Sequence, residues 1–325
     1  MKTLKLNTPV EFPEGRVKIS CGDKIMILGS CFADNIGTKL KQRQFDVCLN
    51  PFGTLYNPAS ISDAVARLDS GEHFTADDCV QIGSGSTKWG SFHHHTLAAK
   101  ETPEEFLHCA NESLDRAARF WKECGKVIIT LGTSWCFRHV GFVGGKNGND
   151  NGFSLERGDG FIVANCLKRD AREFRREFIP AEKTAEILRG IIEKHPKKEF
   201  VFTVSPIRHF KDGAHGNQLS KASLLLGVDE AMGIVPSSSS SCTPGGNDSS
   251  VGQNPRCEYF PAYEIVLDEL RDYRFYAEDM LHPSEQAADY IFYRFIEWAL
   301  PADAKIEFEA RDKSFRRQRH MERGV

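Results

Sequence analysis

The sequence contains no C-x-x-C pair, although it holds ten cysteines in 325 residues. Their scatter fails the zinc-ribbon template and gives no disulfide framework of the kind that staples small secreted folds. No apolar run approaches the roughly 18 residues that a membrane span needs. The opening residues, "MKTLKLNTPVEFPEG", lack the continuous apolar centre of a secretory signal, so reduced thiols in the cytoplasm are expected. Charge of one sign is also scarce. Lys and Arg number 42 against 45 Asp and Glu, a formal −3, which argues against nucleic acid as the main partner. The one basic cluster, "RDKSFRRQRHMERG", reads as part of a solvated tail over residues 301–325. No internal repeat is present.

What the chain does hold is a recurring unit, a short apolar run followed by an amphipathic helix. "KIMILG" (24–29) is predicted as a buried strand, with "CFADNIGTKLKQR" as the helix after it. "FDVCLNPFG" (45–53), "KVIITLG" (126–132), "EFVFTVSP" (199–206) and "YRFYAEDM" (273–280) are the other four predicted strands. Between them lie helices, the clearest over Thr102 to Cys124, where Thr102 and Glu105 form a capping box and Pro103 takes the first turn. Strands alternating with helices imply an α/β fold, a parallel sheet covered on both faces. Two segments interrupt the alternation. The Gly/Asn/Asp-rich stretch within 135–166 suggests an antiparallel excursion, and the low-complexity "PSSSSSCTPGGNDSSVGQNPR" (236–256) suggests a mobile surface insertion.

In a parallel α/β sheet, ligands bind beyond the carboxyl ends of the strands. Polar or glycine-rich groups stand at each such end here: Gly29-Ser30-Cys31, then Gly53 and Asn57, then Gly132-Thr133-Ser134, then Ser205, Arg208 and His209, then Asp279 and His282. Cys31 in a first helical turn would sit at the positive end of the helix dipole, which favours a thiolate. Ser30 beside it is an alternative nucleophile, and a buried structural cysteine at a tight turn is the bland one. Asp279-x-x-His282 has the spacing of a base and the carboxylate that orients it, or of a surface Asp and a helix-capping His. Three consecutive histidines, His93, His94 and His95, invite a metal. Neighbours on a strand alternate faces, so at most two of them could share one ion, and a polar lip over the cleft is the plainer role.

The stretch "ILGSCFADNIG" carries the GSCFA signature, and "NPFGTLYNP", "TLGTSW", "VANC", "SPIRH", "SKASLLL" and "YFPAYEIVLDELRDYRFYAEDMLHPS" resemble the same family. The resemblance spans roughly residues 1 to 300 and implies one domain. It is grouped with the SGNH (GDSL-type) hydrolases, which implies a flavodoxin-like three-layer sandwich and the hydrolysis or transfer of acyl groups. Carried over by position, the resemblance implies Cys31 as nucleophile with Ser30 in the supporting place. It makes Asp279 and His282 the orienting carboxylate and base. Gly53 falls in the block that supplies an oxyanion donor. Ser134 stands where the superfamily's third block has an asparagine, so Thr133 or Ser134 would join the backbone N–H groups of Cys31 and Gly53 in the oxyanion hole. Asn57, Arg208 and His209 are the expected substrate contacts, with ion-pairing within the strand-four loop the alternative for Arg208 and His209. The expected activity is an ester or thioester hydrolase or acyltransferase working through an acyl-enzyme, with no metal or organic cofactor. The substrate would be a small acyl compound, with acylated carbohydrates among the candidates. The alternative is a non-catalytic binding module on the same scaffold.

Overall fold

The structure, a computed structural model, describes residues 8–141, 160–233 and 254–322. Strand β1 (Lys24–Gly29) leads into helix α1 (Cys31–Gln42), then β2 (Asp46–Leu49) and α2 (Pro58–Ser70). A two-strand hairpin, β3 (Val80–Gln81) and β4 (Trp89–Gly90), precedes α3 (Pro103–Glu123) and β5 (Lys126–Leu131). Strands β6 (Trp135–His139), β7 (Phe161–Val163) and β8 (Phe174–Phe178) follow, and then α4 (Ala181–Lys194), β9 (Glu199–Val204) and α5 (Gly213–Ala231). The chain closes with β10 (Cys257–Tyr259), the short α6 (Ala262–Glu264), α7 (Glu285–Ala299) and α8 (Ala302–Glu322).

Five of these strands form one all-parallel sheet in the order β10–β9–β5–β1–β2. Counted along the chain this is the order 2-1-3-4-5 of flavodoxin-like sheets, whose switch point lies between the first and third strands, here β1 and β5. Alternation along β1 sends Met26 and Leu28 to one face, against α2, α3, α4 and α5. Ile25 and Ile27 face the other way, onto α1, α7 and α8. Both faces being buried explains why "KIMILG" is continuously apolar rather than alternating. Thr102 is the N-cap of α3, its Oγ1 accepting from the Glu105 N–H at 3.1 Å; the return bond from the Glu105 side chain that would complete the expected capping box does not form.

Strands β7–β6–β8 make the antiparallel excursion, which runs on to residue 178 rather than ending at 166. Most of the segment 236–256 expected as a mobile insertion lies outside the described residues. The fifth parallel strand is not at 273–280. Asp272 instead accepts from the Arg274 N–H and closes a 3₁₀ turn at Tyr273–Phe275, and Tyr276 bridges back to Pro283, so that segment is a folded loop. The strand is the three-residue β10, paired to β9. The C-terminal segment expected as a solvated tail is helix α8, docked through buried Ala304, Phe308 and Asp312.

Candidate active site

The turn after β1 is built around Gly29. Its φ is +144°, and a Cβ there would lie 2.2 Å from the Thr130 carbonyl oxygen, so β1 and β5 approach as closely as they do only with glycine here. Ser30 then donates its N–H to the Thr130 oxygen (3.1 Å) and accepts from the Phe32 N–H through Oγ (3.3 Å), which makes it the N-cap of α1. It is 1% exposed. Cys31, the first residue of α1, is half-buried and opens into a cleft of about 780 Å³ between α1 and α8, with Asp34, Thr38, Glu285, Phe315 and Arg319 among its walls. A larger groove of about 1010 Å³ runs between α7 and α8, but it holds none of the expected site residues.

The Cys31 Sγ lies 3.4 Å from the Tyr56 hydroxyl, which also accepts from Thr54 Oγ1 at 3.1 Å. Tyr56 is fixed from behind, because its carbonyl accepts the N–H groups of Gly132 (2.8 Å) and Thr133 (2.9 Å) at the end of β5. Burial, and after it the Cys31 contact, pushes the Tyr56 phenol up to about 12. The ring of His209 meets the Tyr56 ring edge-on at 6.2 Å. Burial, reinforced by the Lys221 ammonium and only partly opposed by Asp212, pushes His209 down to about 4, so its ring is neutral near pH 7. Its Nε2 is buried without a hydrogen-bond partner among the described residues.

Asp279 and His282 form a compact pair on the loop before α7. One carboxylate oxygen accepts the N–H groups of Leu281 (2.9 Å) and His282 (3.0 Å), and the other accepts from His282 Nδ1 at 2.5 Å. The His282 and Leu281 backbone N–H groups, and then the ring, hold the Asp279 carboxyl down to about 2. With Nδ1 engaged, Nε2 is the nitrogen left to act. The loop is tied to the end of β9 by the Arg208 N–H, which donates to the Leu281 carbonyl at 3.1 Å. Among the described residues no hydrogen bond joins His282 to Cys31; Tyr56 contacts Cys31 and its ring meets His209.

The other expected residues are engaged with neighbours inside the protein. The Gly53 N–H donates to Asn50 O at 2.8 Å, and a Cβ at Gly53 would lie 2.5 Å from His95 Cβ. The Ser134 N–H donates to Ser220 Oγ (2.8 Å), and its own hydroxyl donates to Ser220 O (2.9 Å) in a fully buried position. Thr133 gives its N–H to Tyr56 and contacts Ser220 Oγ at 3.0 Å. Asn57 caps α2 by accepting from the Ser60 N–H at 2.9 Å. The Arg208 guanidinium lies over the Phe210 ring at 4.6 Å, and the His209 N–H donates to Asn217 Oδ1 at 2.9 Å. Of the histidine run, His94 is packed against Phe52, Phe74 and Phe106, and burial pushes it down to about 3. His93 stacks on Phe161, and His95 accepts from the Leu97 N–H. Among the described residues no group of three or more His, Cys, Asp or Glu is placed to hold a metal ion.

Two residues of the site carry little signal in the sequence. Tyr56 sits inside "NPFGTLYNP", where glycine and asparagine draw the eye. Lys221 is completely buried, and its ammonium donates to Gly132 O (2.6 Å) and Ser205 O (2.7 Å), cross-linking the ends of β5 and β9. The available cue was a single lysine in the small and apolar run "SKASLLL".

The fold and this crevice define a doubly wound α/β protein with a half-buried cysteine at the switch point of its sheet. The chain belongs to the GSCFA family, which it matches over residues 24–295. That match ends before α8, so one wall of the Cys31 cleft lies outside it. No curated protein and no solved structure matches the chain significantly. Among the described residues no helix is long and apolar enough to cross a membrane.

Proposed function

We propose that this chain is an acyl hydrolase or acyltransferase of the SGNH type, acting on small esters or thioesters, acylated carbohydrates included. The observation that carries this reading is the Asp279–His282 pair, held by three donors to one carboxylate, on a loop tied to the end of β9, in the same sheet as the β1 end that carries Cys31. His282 Nε2 takes the Cys31 proton, and the thiolate attacks the carbonyl carbon. The tetrahedral adduct collapses as His282 returns the proton to the leaving alkoxide or thiolate. Water or a second substrate, deprotonated by His282, then releases the acyl group. Catalytic hydrogen bonds in unliganded sites are often long and tighten on substrate binding, so the step needs the His282 loop and α1 to approach each other. The Cys31 N–H belongs to the first helical turn, where helix geometry supplies no acceptor, and is free to face an oxyanion. No metal or organic cofactor enters these steps. The nine described cysteines are all free thiols, in keeping with a cytoplasmic protein.

One observation favours a second reading, a binding module without catalysis. The N–H groups of Gly53, Thr133 and Ser134 are all spent inside the protein. A screen over short acyl esters and thioesters decides between the two, run on the wild type, Cys31→Ala, Ser30→Ala and His282→Ala. Hydrolysis that disappears with Cys31→Ala and His282→Ala supports the enzyme. No turnover, or turnover indifferent to His282→Ala, overturns it. Selective fluorophosphonate labelling of Ser30 with Cys31 inert would move the nucleophile to the serine.

A further inference from the structure

Acyl transfer through Cys31 requires more than one donor for the oxyanion, and the expected N–H groups of Gly53, Thr133 and Ser134 are already bonded elsewhere. We propose that Tyr56 is a catalytic residue of this site and that its phenolic O–H is the missing oxyanion donor. The inference rests on the acyl-transfer reading and supplies the group which that reading lacks.

Three observations carry it. Tyr56 Oη is the hydrogen-bond partner of Cys31 Sγ, at 3.4 Å. An oxyanion on a carbon bonded to Sγ is two bonds from that sulfur, so a donor that reaches Sγ also reaches the oxygen after a small shift. Thr54 already donates to the phenolic oxygen, which leaves the Tyr56 proton free to point into the site. The residue is also immobilised, because its carbonyl takes two N–H groups from the end of β5 and its ring packs on His209. A donor fixed before reaction costs no reorganisation when charge develops, which is the source of oxyanion-hole catalysis. The phenol stays protonated across neutral pH, since burial raises it. In the step itself, the Cys31 thiol proton goes to His282 and the S–C bond forms. The carbonyl π pair moves to oxygen, and the resulting O⁻ accepts from Tyr56 without taking its proton. On collapse the pair returns, the bond to the leaving group breaks, and Tyr56 is unchanged.

The test compares two reactions of the same thiol in the wild type and Tyr56→Phe, which keeps the ring and the backbone clamp. Thioester or ester turnover passes through an oxyanion, whereas alkylation of Cys31 by iodoacetamide does not. The expected result is a kcat lower by roughly 10²–10³ in Tyr56→Phe, with KM nearly unchanged and alkylation within a few-fold of wild type. Protection of Cys31 by an aldehyde, whose hemithioacetal places an oxygen in the same position, should weaken in parallel. A kcat equal to wild type overturns the assignment. So does an alkylation rate that falls by the same factor as kcat, because Tyr56 would then merely hold the thiol. A wild type that alkylates at Cys31 but shows neither turnover nor aldehyde protection overturns the acyl-transfer reading, and this inference with it.

Discussion

Arg43 Nε donates to Asp312 Oδ1 at 2.8 Å, joining the C-cap of the helix that begins with Cys31 to the middle of the last helix. The Arg43 guanidinium lies 4.9 Å from the Phe292 ring and 4.5 Å from the Phe315 ring, and Phe315 is a wall of the Cys31 cleft. Removing one partner of a buried ion pair leaves an uncompensated charge, at a cost of about 3–5 kcal/mol. Asp312→Ala should therefore lower stability by that order in a denaturant melt. It should also loosen α8 and speed iodoacetamide labelling of Cys31. Lost stability with an unchanged labelling rate would show that α8 does not restrict the cleft.

Asp279 fixes which His282 nitrogen is available, and that geometry can be tested separately from the ring. Asp279→Asn keeps a carbonyl oxygen for the two backbone donors but presents an amide to Nδ1, which disfavours the tautomer with Nε2 as base. A change of this kind in an Asp–His pair lowers kcat by roughly 10⁴. The loss in Asp279→Asn should approach that of His282→Ala in the same ester assay. Full activity in Asp279→Asn would make the pair a structural clip for the loop before α7.

Lys221 predicts a pH dependence of stability. Its burial pushes the ammonium down to about 7 from its ordinary 10.5. Between those values the unfolded chain binds more protons than the folded one, so this group makes stability rise with pH through that window. Lys221→Met removes the titration and leaves the Gly132 and Ser205 carbonyls short of a donor. The wild type should be more stable than the variant by a margin that grows from about pH 7 to about pH 10, read from melts across that range. A margin independent of pH would mean that the two carbonyls keep Lys221 charged throughout.

The central sheet was legible because its strands are buried on both faces, and "KIMILG", "KVIITLG" and "EFVFTVSP" show this as unbroken apolar runs. Helix α3 was legible because Thr102 and Glu105 are close in sequence. What escaped depends on contacts distant in the chain. Ser134 reads as a free donor until Ser220, 86 residues away, takes it up. β10 has three residues, too few for a period. α8 buries only Ala304, Phe308 and Asp312, a stripe one residue wide among charged neighbours, so its basic composition masks a docked helix. The sequence also placed Asp279 and His282 at a strand end, whereas the structure puts them on a loop that reaches the site through Arg208 and Leu281.

Ser30 and Cys31 are adjacent, yet the turn gives them different work, and Ser30→Ala separates the two roles. The Ser30 hydroxyl oxygen accepts from the Phe32 N–H at a 1% exposed position, so the substitution removes a helix cap and strands a buried donor. Loss of an N-cap side chain costs about 0.5–2 kcal/mol. The melt of Ser30→Ala should shift down by that amount. Cys31 keeps its place in the first turn and its contact with Tyr56, so iodoacetamide should still label it at close to the wild-type rate. Cys31→Ala should behave in the opposite way, with stability little changed and acyl transfer abolished, because its side chain opens into a cleft instead of capping a helix. Should Ser30→Ala melt with the wild type and yet lose all hydrolysis, the hydroxyl would be the attacking group and the cysteine its neighbour.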